Sequence, residues 1–482
     1  MLLLLAVVAC GGESEGDGPT GDSGADTGDD GGGGPVDAEW ARVAGAPADG
    51  LGNAITPAGD LDADGAPDLL VAAYLGNRVC VLPAGLPGGE AALDALRVAC
   101  LVGEGDQDYV GYGIAGVGDA DGDGFDDVMV GAIGNRDAGS NAGKVYLVRG
   151  PLAPGSFALA NAASSWKGET AGDYAGVSVA AGGDATGDGV EDYLVGASGF
   201  DAGATAGGRA YLLSGPLPEG DFSLADAPIT FTGLGAPAGP PPPPHGAFGV
   251  GDFVGDGLLG PGDLDGDGFD DLVLGATGDA TVGANTGRAC VFRGPIGAGA
   301  WSITEADLVI QGLAAGSYAG SPLVGPGDLT GDGLADLLVA ADGAGPGFVY
   351  LLAGSGTEGT TSLSMAITRF EGEAEGDLFG FSAAAADVTQ DGAPDLLVGA
   401  PASNRSGALT GSAWLFEGPF AAGAMPTSTG RQVHGEAGAG SFGSAVALGP
   451  DMNLDGVPDL AVGEYTSAAG GGFSGALYLI SP

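Results

Sequence analysis

Short apolar runs recur along the chain at a near-regular spacing, and each follows an acidic phrase of nine residues. The runs read DLLVAA, DVMVGA, DYLVGA, DLVLGA, DLLVAA, DLLVGA and DLAVGE. The phrases start at Asp60 (DLDADGAPD), Asp119 (DADGDGFDD), Asp184 (DATGDGVED), Asp263 (DLDGDGFDD), Asp328 (DLTGDGLAD), Asp387 (DVTQDGAPD) and Asp451 (DMNLDGVPD). Successive starts are 59, 65, 79, 65, 59 and 64 residues apart. A short run rich in Val and Leu, bounded by turn residues, has the pattern of a buried strand. Seven copies of one supersecondary unit set the architecture before any single residue is interpreted.

Each unit holds further strand-like runs. After the loops come NRVCVLPAG, GKVYLVRGP, GRAYLLSGP, GRACVFRGP, GFVYLLAGS, GSAWLFEGP and GALYLISP. About ten residues before each loop stands an aromatic residue or Leu followed closely by glycine. These are Leu51-Gly52, Tyr109-Val110-Gly111, Tyr174-Ala175-Gly176, Phe248-Gly249, Tyr318-Ala319-Gly320, Phe379-Gly380 and Phe442-Gly443. A fourth run precedes that phrase: EWARVAG, LRVACLVGE, SSWKGE, ITFTGLG, LVIQGLA, ITRFEGE and RQVHGE. Four strands in each of seven units read as an all-β, seven-bladed β-propeller of four-stranded blades. The best helical stretch, Gly89 to Leu96, is too short to compete. If each leading strand forms the outer edge of the preceding blade, Glu39–Ala44 must close the last blade beside Leu477–Ile480. The proline run Pro240–Pro244 favours polyproline II and reads as a surface loop.

Composition narrows the partners. The chain has 482 residues, 63 of them acidic and 13 basic, for a formal net charge of −50. That surface repels phosphate backbones and anionic headgroups, which excludes nucleic acid and a basic membrane-binding patch. Metal cations are the natural counter-charge. The 101 glycines follow no three-residue period, so collagen is excluded. A hydrophobic content of 44% supplies a packed core.

The acidic phrases carry the candidate chemistry. Positions 1, 3, 5 and 9 are mostly Asp, position 6 is always Gly, and position 7 varies. Hard Ca²⁺ takes 6–8 oxygens from carboxylates, backbone carbonyls and water. Glycine at position 6 permits the tight turn, and position 7 needs only its carbonyl. The expected ligands are therefore Asp60, Asp62, Asp64, Ala66 and Asp68 in the first loop, and Asp119, Asp121, Asp123, Phe125 and Asp127 in the second. The third offers Asp184, Thr186, Asp188, Val190 and Asp192; the fourth Asp263, Asp265, Asp267, Phe269 and Asp271. The fifth offers Asp328, Thr330, Asp332, Leu334 and Asp336; the sixth Asp387, Thr389, Asp391, Ala393 and Asp395; the last Asp451, Asn453, Asp455, Val457 and Asp459. Up to seven Ca²⁺ ions follow, one per blade. Loops with Thr or Asn at position 3 carry fewer charges and should bind more weakly. Mg²⁺ suits such loops less, because it keeps its waters.

The opening of each phrase resembles an EF-hand loop, which also requires Glu at position 12 and flanking helices. Position 12 here is Val71, Val130, Val195, Leu274, Val339, Val398 or Val462, so the EF-hand fails. Aromatic-Gly, then D-x-D-x-D-G-x-x-D, then LLVGA and G-x-x-Y-L-x-x-G-P resemble the FG-GAP repeat of integrin α-subunit propellers. The resemblance covers residues 39–482. It implies calcium loops that tie the blade edges without catalysing anything.

The N-terminus reads as an address. Leu2 to Ala9 are apolar, too short to span a bilayer and the right length for the core of a secretory signal. Val7-Val8-Ala9-Cys10 resembles a bacterial lipobox, which implies cleavage before Cys10 and lipidation of that cysteine. No Lys or Arg precedes the run, a departure from the usual signal. With Gly11 and Gly12 next, the analogy favours the outer membrane. Residues 10–37 are rich in Gly, Asp, Ser and Thr and read as a disordered acidic tether. The expected division is thus 1–9 signal, 10–37 tether and 38–482 propeller.

Catalytic signatures are missing: no G-x-S-x-G, no H-E-x-x-H, no P-loop. The two histidines, His245 and His434, read as a loop residue and a strand residue. Trp40, Trp166, Trp301 and Trp414 fall in separate units and read as packing. Cys80 and Cys100 lie on consecutive strands of one blade, where a disulfide and two buried thiols are both open; Cys290 has no evident partner. The leading reading is a non-enzymatic adhesion or ligand-recognition propeller of the cell envelope, with a protein or glycan ligand and no small-molecule cofactor. A polysaccharide lyase or hydrolase and a structural envelope protein are the alternatives.

Overall fold

The computed structural model describes residues 39–96, 98–201, 207–235, 252–404, 410–435 and 441–482. Cys10, the acidic tether, the proline run, His245 and Phe248-Gly249 lie outside the described residues.

Seven sheets form a ring. Blade 1 runs from its inner strand Leu51–Gly59 through Asp68–Ala73 and Arg78–Leu82 to its outer strand Ala99–Val102. The next five blades repeat the order, with inner strands Val110–Gly116, Val179–Gly183, Val254–Gly262, Leu323–Val324 and Ser382–Ala386. Blade 7 combines Ala445–Leu448, Leu460–Glu464 and Ala476–Ile480 with the N-terminal strand Glu39–Ala44. That strand pairs antiparallel with the C-terminal one, Arg42 opposite Tyr478, so both chain ends share one sheet as the sequence implied. The second strand of each blade is buried along its whole length, because neighbouring blades cover both of its faces. This is why these strands read as continuous apolar runs rather than alternating ones.

The expectation of four-stranded blades needs one correction. Six of the seven sheets hold a fifth strand. These are Gly89–Ala92, Gly155–Ala158, Gly220–Ser223, Gly299–Ser302, Gly359–Ser362 and Gly423–Pro426. Each lies in the connection between the third and outer strands of one blade and pairs in parallel with the outer strand of the blade before it. A single turn of 3₁₀ helix follows, and its first residue is buried (Leu93, Leu159, Leu224, Ile303, Leu363 or Thr427). The stretch Gly89 to Leu96, weighed above as a helix, is one of these strand-and-turn units.

Glycine sets the closest approach of the blades. A Cβ added at Gly131 would lie 2.0 Å from the carbonyl oxygen of Gly176 in the next blade. The same clash would occur at Gly196 with Gly255, Gly275 with Gly320, Gly399 with Gly443 and Gly463 with Gly52. The aromatic-Gly phrase is therefore the partner of the glycine in the VGA tail. This contact also corrects the reading of blade 4, where Phe253-Val254-Gly255 takes the phrase's place. Phe253 has φ 55°, matching Tyr109, Tyr174 and Tyr318 at 51–55°. Cys80 and Cys100 face each other on the third and outer strands of blade 1 and are joined by a disulfide, while Cys290 is a buried thiol.

Replacing Gly399 by Ala should destabilise the protein by at least about 3 kcal/mol, because backbone rather than a side chain must give way. Gly356, with open space around it and an ordinary φ, should accept Ala within about 0.5 kcal/mol. Chemical denaturation of the two variants tests the contact; equal stabilities would refute it.

Candidate metal centre

All seven acidic loops fold around the same set of internal hydrogen bonds. The carboxylate at position 1 accepts the backbone N–H of positions 5 and 6, as Asp60 does from Asp64 and Gly65. Asp119, Asp184, Asp263, Asp328, Asp387 and Asp451 repeat this. The carboxylate at position 5 accepts the N–H of position 7, as Asp64 does from Ala66 and Asp332 from Leu334. The position 9 carboxylate sits at the entrance to the buried second strand and accepts an N–H from the start of its own loop. In blades 2, 4, 5 and 6 its other oxygen accepts the N–H of the glycine that follows the third strand. Backbone donors thus hold the carboxylates in place, so each loop is shaped by its own peptide groups.

Among the described residues, three loops bring three carboxylate oxygens within 4.8 Å of one another: Asp60/Asp62/Asp68, Asp119/Asp121/Asp127 and Asp263/Asp265/Asp271. Oxygens on opposite sides of a Ca²⁺-sized ion lie about 4.8 Å apart, given bonds of about 2.4 Å, so each triad can share one cation. Asp64, Asp123 and Asp267 stand outside these triads, each bonded to its own loop backbone. In the other four loops Thr186, Thr330, Thr389 or Asn453 stands at position 3, its side chain 3.4–3.5 Å from the position 9 carboxylate.

The structure separates three loops that look alike in sequence. Arg149 lies 2.8 Å from Asp121, and Arg293 lies 3.0 Å from Asp265. Both contacts are close ion pairs bent away from hydrogen-bond alignment. Each arginine ends a third strand and offsets one of the four negative charges of its loop. Blade 1 has Pro83 where blade 2 has Arg149, so its loop keeps all four. There Asp68 is fully buried, and its Oδ1 has no hydrogen-bond partner. A buried carboxylate oxygen without a donor needs a compensating charge. Of the three triads among the described residues, Asp60/Asp62/Asp68 is therefore the one best suited to take up a cation. Reading residue types loop by loop missed the arginines; the R-G-P after the third strand, found in two copies only, was the available signal. It also missed Asp126 and Asp270 at position 8, which accept the N–H of Asp60 and Asp184 and so bridge neighbouring loops.

Burial raises the carboxyls of Asp68, Asp127, Asp192, Asp271, Asp336 and Asp459 above the ordinary carboxylate range, against the lowering effect of their backbone donors. Asp68 is pushed up to about 7, with the neighbouring loop carboxylates adding to the rise. Asp127, Asp271 and Asp459 are pushed to about 6.

The FG-GAP-like repeat family matches residues 328–398, and the FG-GAP repeat family matches residues 442–480. The chain is similar to integrin α-IIb of Mus musculus, 41% identical over 103 residues, which is 20% of this chain and 10% of that protein. It is similar to integrin α-PS2 of Drosophila melanogaster, 31% identical over 221 residues, 43% of this chain and 15% of that protein. It is also similar to phosphatidylinositol-glycan-specific phospholipase D of Homo sapiens, 41% identical over 90 residues, 17% of this chain and 11% of that protein. The matched stretches thus span about a tenth of these relatives' lengths. With the seven blades, these matches support an integrin-α-like FG-GAP propeller.

A carboxyl whose pKa is raised by folding stabilises the native state below its unfolded value and loses that contribution as pH rises through the folded value. In chelator, the melting temperature should therefore fall between pH 5 and pH 7.5. Asp68→Asn should flatten part of that slope. A melting temperature that is constant or rises over this range would contradict the assignment.

Proposed function

We propose that the chain is a calcium-stabilised recognition propeller, tethered to a membrane outside the cytoplasm, that binds a protein or glycan ligand without catalysing a reaction. The observation that carries this reading is an aromatic surface at the end of the ring opposite the acidic loops. Tyr74 follows the second strand of blade 1, and Tyr465 occupies the same place in blade 7. Tyr109 and Tyr112 flank the start of the inner strand of blade 2. Their rings lie 6.4–6.5 Å from that of Tyr74, and all four side chains are only partly buried. Leu75, 42% exposed, adjoins them. Tyrosines that keep part of their rings accessible offer large contact area at low entropic cost and are enriched at recognition surfaces. The similarity to integrin α chains supports the same reading.

Calcium fits the loops better than other common cations, because every donor is a hard oxygen and the carboxylates are many. Asp60, Asp62, Asp64 and Asp68 would bind most tightly, with the carbonyl of Ala66. A cation there would tie the inner strand to the second strand at the rim of the blade. Cys10, by its lipobox-like context, would carry the lipid and place the ring at the outer membrane. The likeness to a phospholipase D favours a second reading, an enzyme on the same scaffold.

Removing calcium should lower the melting temperature by roughly 10 °C or more at neutral pH, as loss of any tightly held native-state ligand does. Asp62→Ala should remove more of the calcium-dependent shift than Asp121→Ala, whose charge Arg149 already offsets. An array of proteins and glycans, probed with the purified chain in millimolar calcium and in chelator, tests recognition. Calcium-dependent binding that Tyr74→Ala with Tyr109→Ala weakens about ten-fold or more would support it. Turnover of a phosphodiester or polysaccharide would move the assignment to the enzyme.

A further inference from the structure

One outer strand differs from the rest. Every blade's outer edge is covered by the connection between third and outer strands of the next blade, except where that connection does not exist. Blade 7 takes its third strand from one chain end and its outer strand from the other. Nothing among the described residues therefore crosses the outer edge of blade 6, and its strand Arg431–His434 has a ladder only on its inner side, with Ser412–Phe416. An uncovered edge is a row of unpaired peptide groups open to another strand. The first outer-strand residue is buried or half-buried where the edge is covered, Ser164 and Thr368 being buried and Leu308 half-buried; Arg431 is exposed.

The blade 6–7 core lacks a second thing. In five inter-blade cores the first residue of the 3₁₀ turn is an apolar plug, and at the blade 5–6 boundary it is the buried Thr427. Among the described residues the core between blades 6 and 7 has none.

The sequence before Glu39 carries the missing unit in phase. In each covered blade a glycine opens the fifth strand and faces the first residue of the outer strand it covers, as Gly220 faces Ser164 and Gly423 faces Thr368. In four blades that glycine lies nine residues before the start of its own blade's outer strand, as Gly359 does before Thr368. The plug comes four residues after the glycine. In blade 7 the residue that takes this starting place is Ala41, which pairs with Gly89. Nine residues before Ala41 is Gly32, and four after Gly32 is Val36, a β-branched apolar residue in an otherwise polar stretch. Pro35 stands where Pro426 stands in the strand Gly423–Pro426.

We propose that residues 32–35 dock in parallel on Arg431–His434, with Gly32 opposite Arg431 and Gly33 opposite Gln432, and that Val36 plugs the core between blades 6 and 7. The N-terminal segment then grips both sides of the closing seam, and the tether ends at residue 31 rather than 37.

Hydrogen exchange on the full chain tests this, read on the peptide that covers Arg431–His434. Those amides should be protected, and Val36→Asp should speed their exchange roughly ten-fold or more while leaving Thr368–Glu371 unchanged. Val36→Ile should keep the protection, which separates docking from a general loss of folding. In a Gly33→Cys, Gln432→Cys chain a disulfide should form within one molecule. Exchange as fast in the unsubstituted chain as in Val36→Asp would overturn the proposal. So would a disulfide that forms only between two molecules, which would give the edge to a second copy.

Discussion

The ring depends on a place where no side chain fits. At the inner rim the second strand of one blade meets the inner strand of the next through backbone atoms, Gly131 against Gly176 and Gly399 against Gly443. Where the tail has alanine instead, at Ala72, its methyl packs directly on Gly111. Blades that touch here must diverge outward, and the widening gap is filled by larger side chains. Tyr146, Tyr193, Tyr211 and Trp414 are all buried in these inter-blade layers. The order of residue sizes along each unit, small at the rim and aromatic further out, is the shape of a wedge written in sequence. Seven wedges close a circle only if each keeps its taper, so the glycines constrain the whole assembly more tightly than any one hydrophobic contact does.

The acidic loops sit on that frame as consequences of it. A second strand buried on both faces must begin where the chain leaves solvent, and the position 9 carboxylate stands at that threshold. It caps loop N–H groups that would otherwise be buried without acceptors. The same burial makes its charge costly. Blades 2 and 4 offset the cost with Arg149 and Arg293, and four blades replace the position 3 carboxylate by Thr or Asn. Blade 1 does neither, and Asp68 there keeps an unpartnered oxygen. What remains for that loop is a proton on Asp68, whose pKa is pushed up to about 7, or a bound cation, so the strongest case for a cation lies in one loop rather than equally in all seven.

Much of this was legible in the sequence, and the exceptions have physical causes. Buried strands announce themselves by composition, so DLLVAA or DYLVGA could hardly be misplaced. The fifth strands are mostly exposed and carry no apolar pattern, so GTTS carried no strand signal and GEAA fell in the short stretch weighed as a helix; the glycine and, in five of the six, the Leu or Ile four residues later are what repeat. Blade 4 offered two Phe residues near glycines within one inserted stretch; the directly adjacent Gly249 drew the reading to Phe248, although Phe253, ten residues before Asp263, keeps the spacing of the other units. The left-handed backbone of Phe253 and the bridge of the next residue, Val254, to Gly208 decide for the later one. Within the loops, spacing identified positions 1, 3 and 9 as convergent. It gave position 5 the same role; that carboxylate lies outside the three close triads and accepts the N–H of position 7.

Closure concentrates interactions at blade 7. Trp40 of the N-terminal strand donates its indole N–H to Asp459, and Ser481 beside the C-terminal strand donates its hydroxyl to the same oxygen. Asp459 also accepts the N–H of Met452 in its own loop. One buried carboxylate thus binds both ends of the chain and the last acidic loop together. Arg431 of blade 6 reaches the carbonyl of Ser481, which carries the connection one blade further. A ring closed by hydrogen bonding between its two ends is weakest at that seam, since no covalent link spans it. Force applied from the N-terminal side would load that seam first. Interactions that engage the chain before Glu39 would therefore contribute more to mechanical integrity than equal interactions anywhere else in the ring.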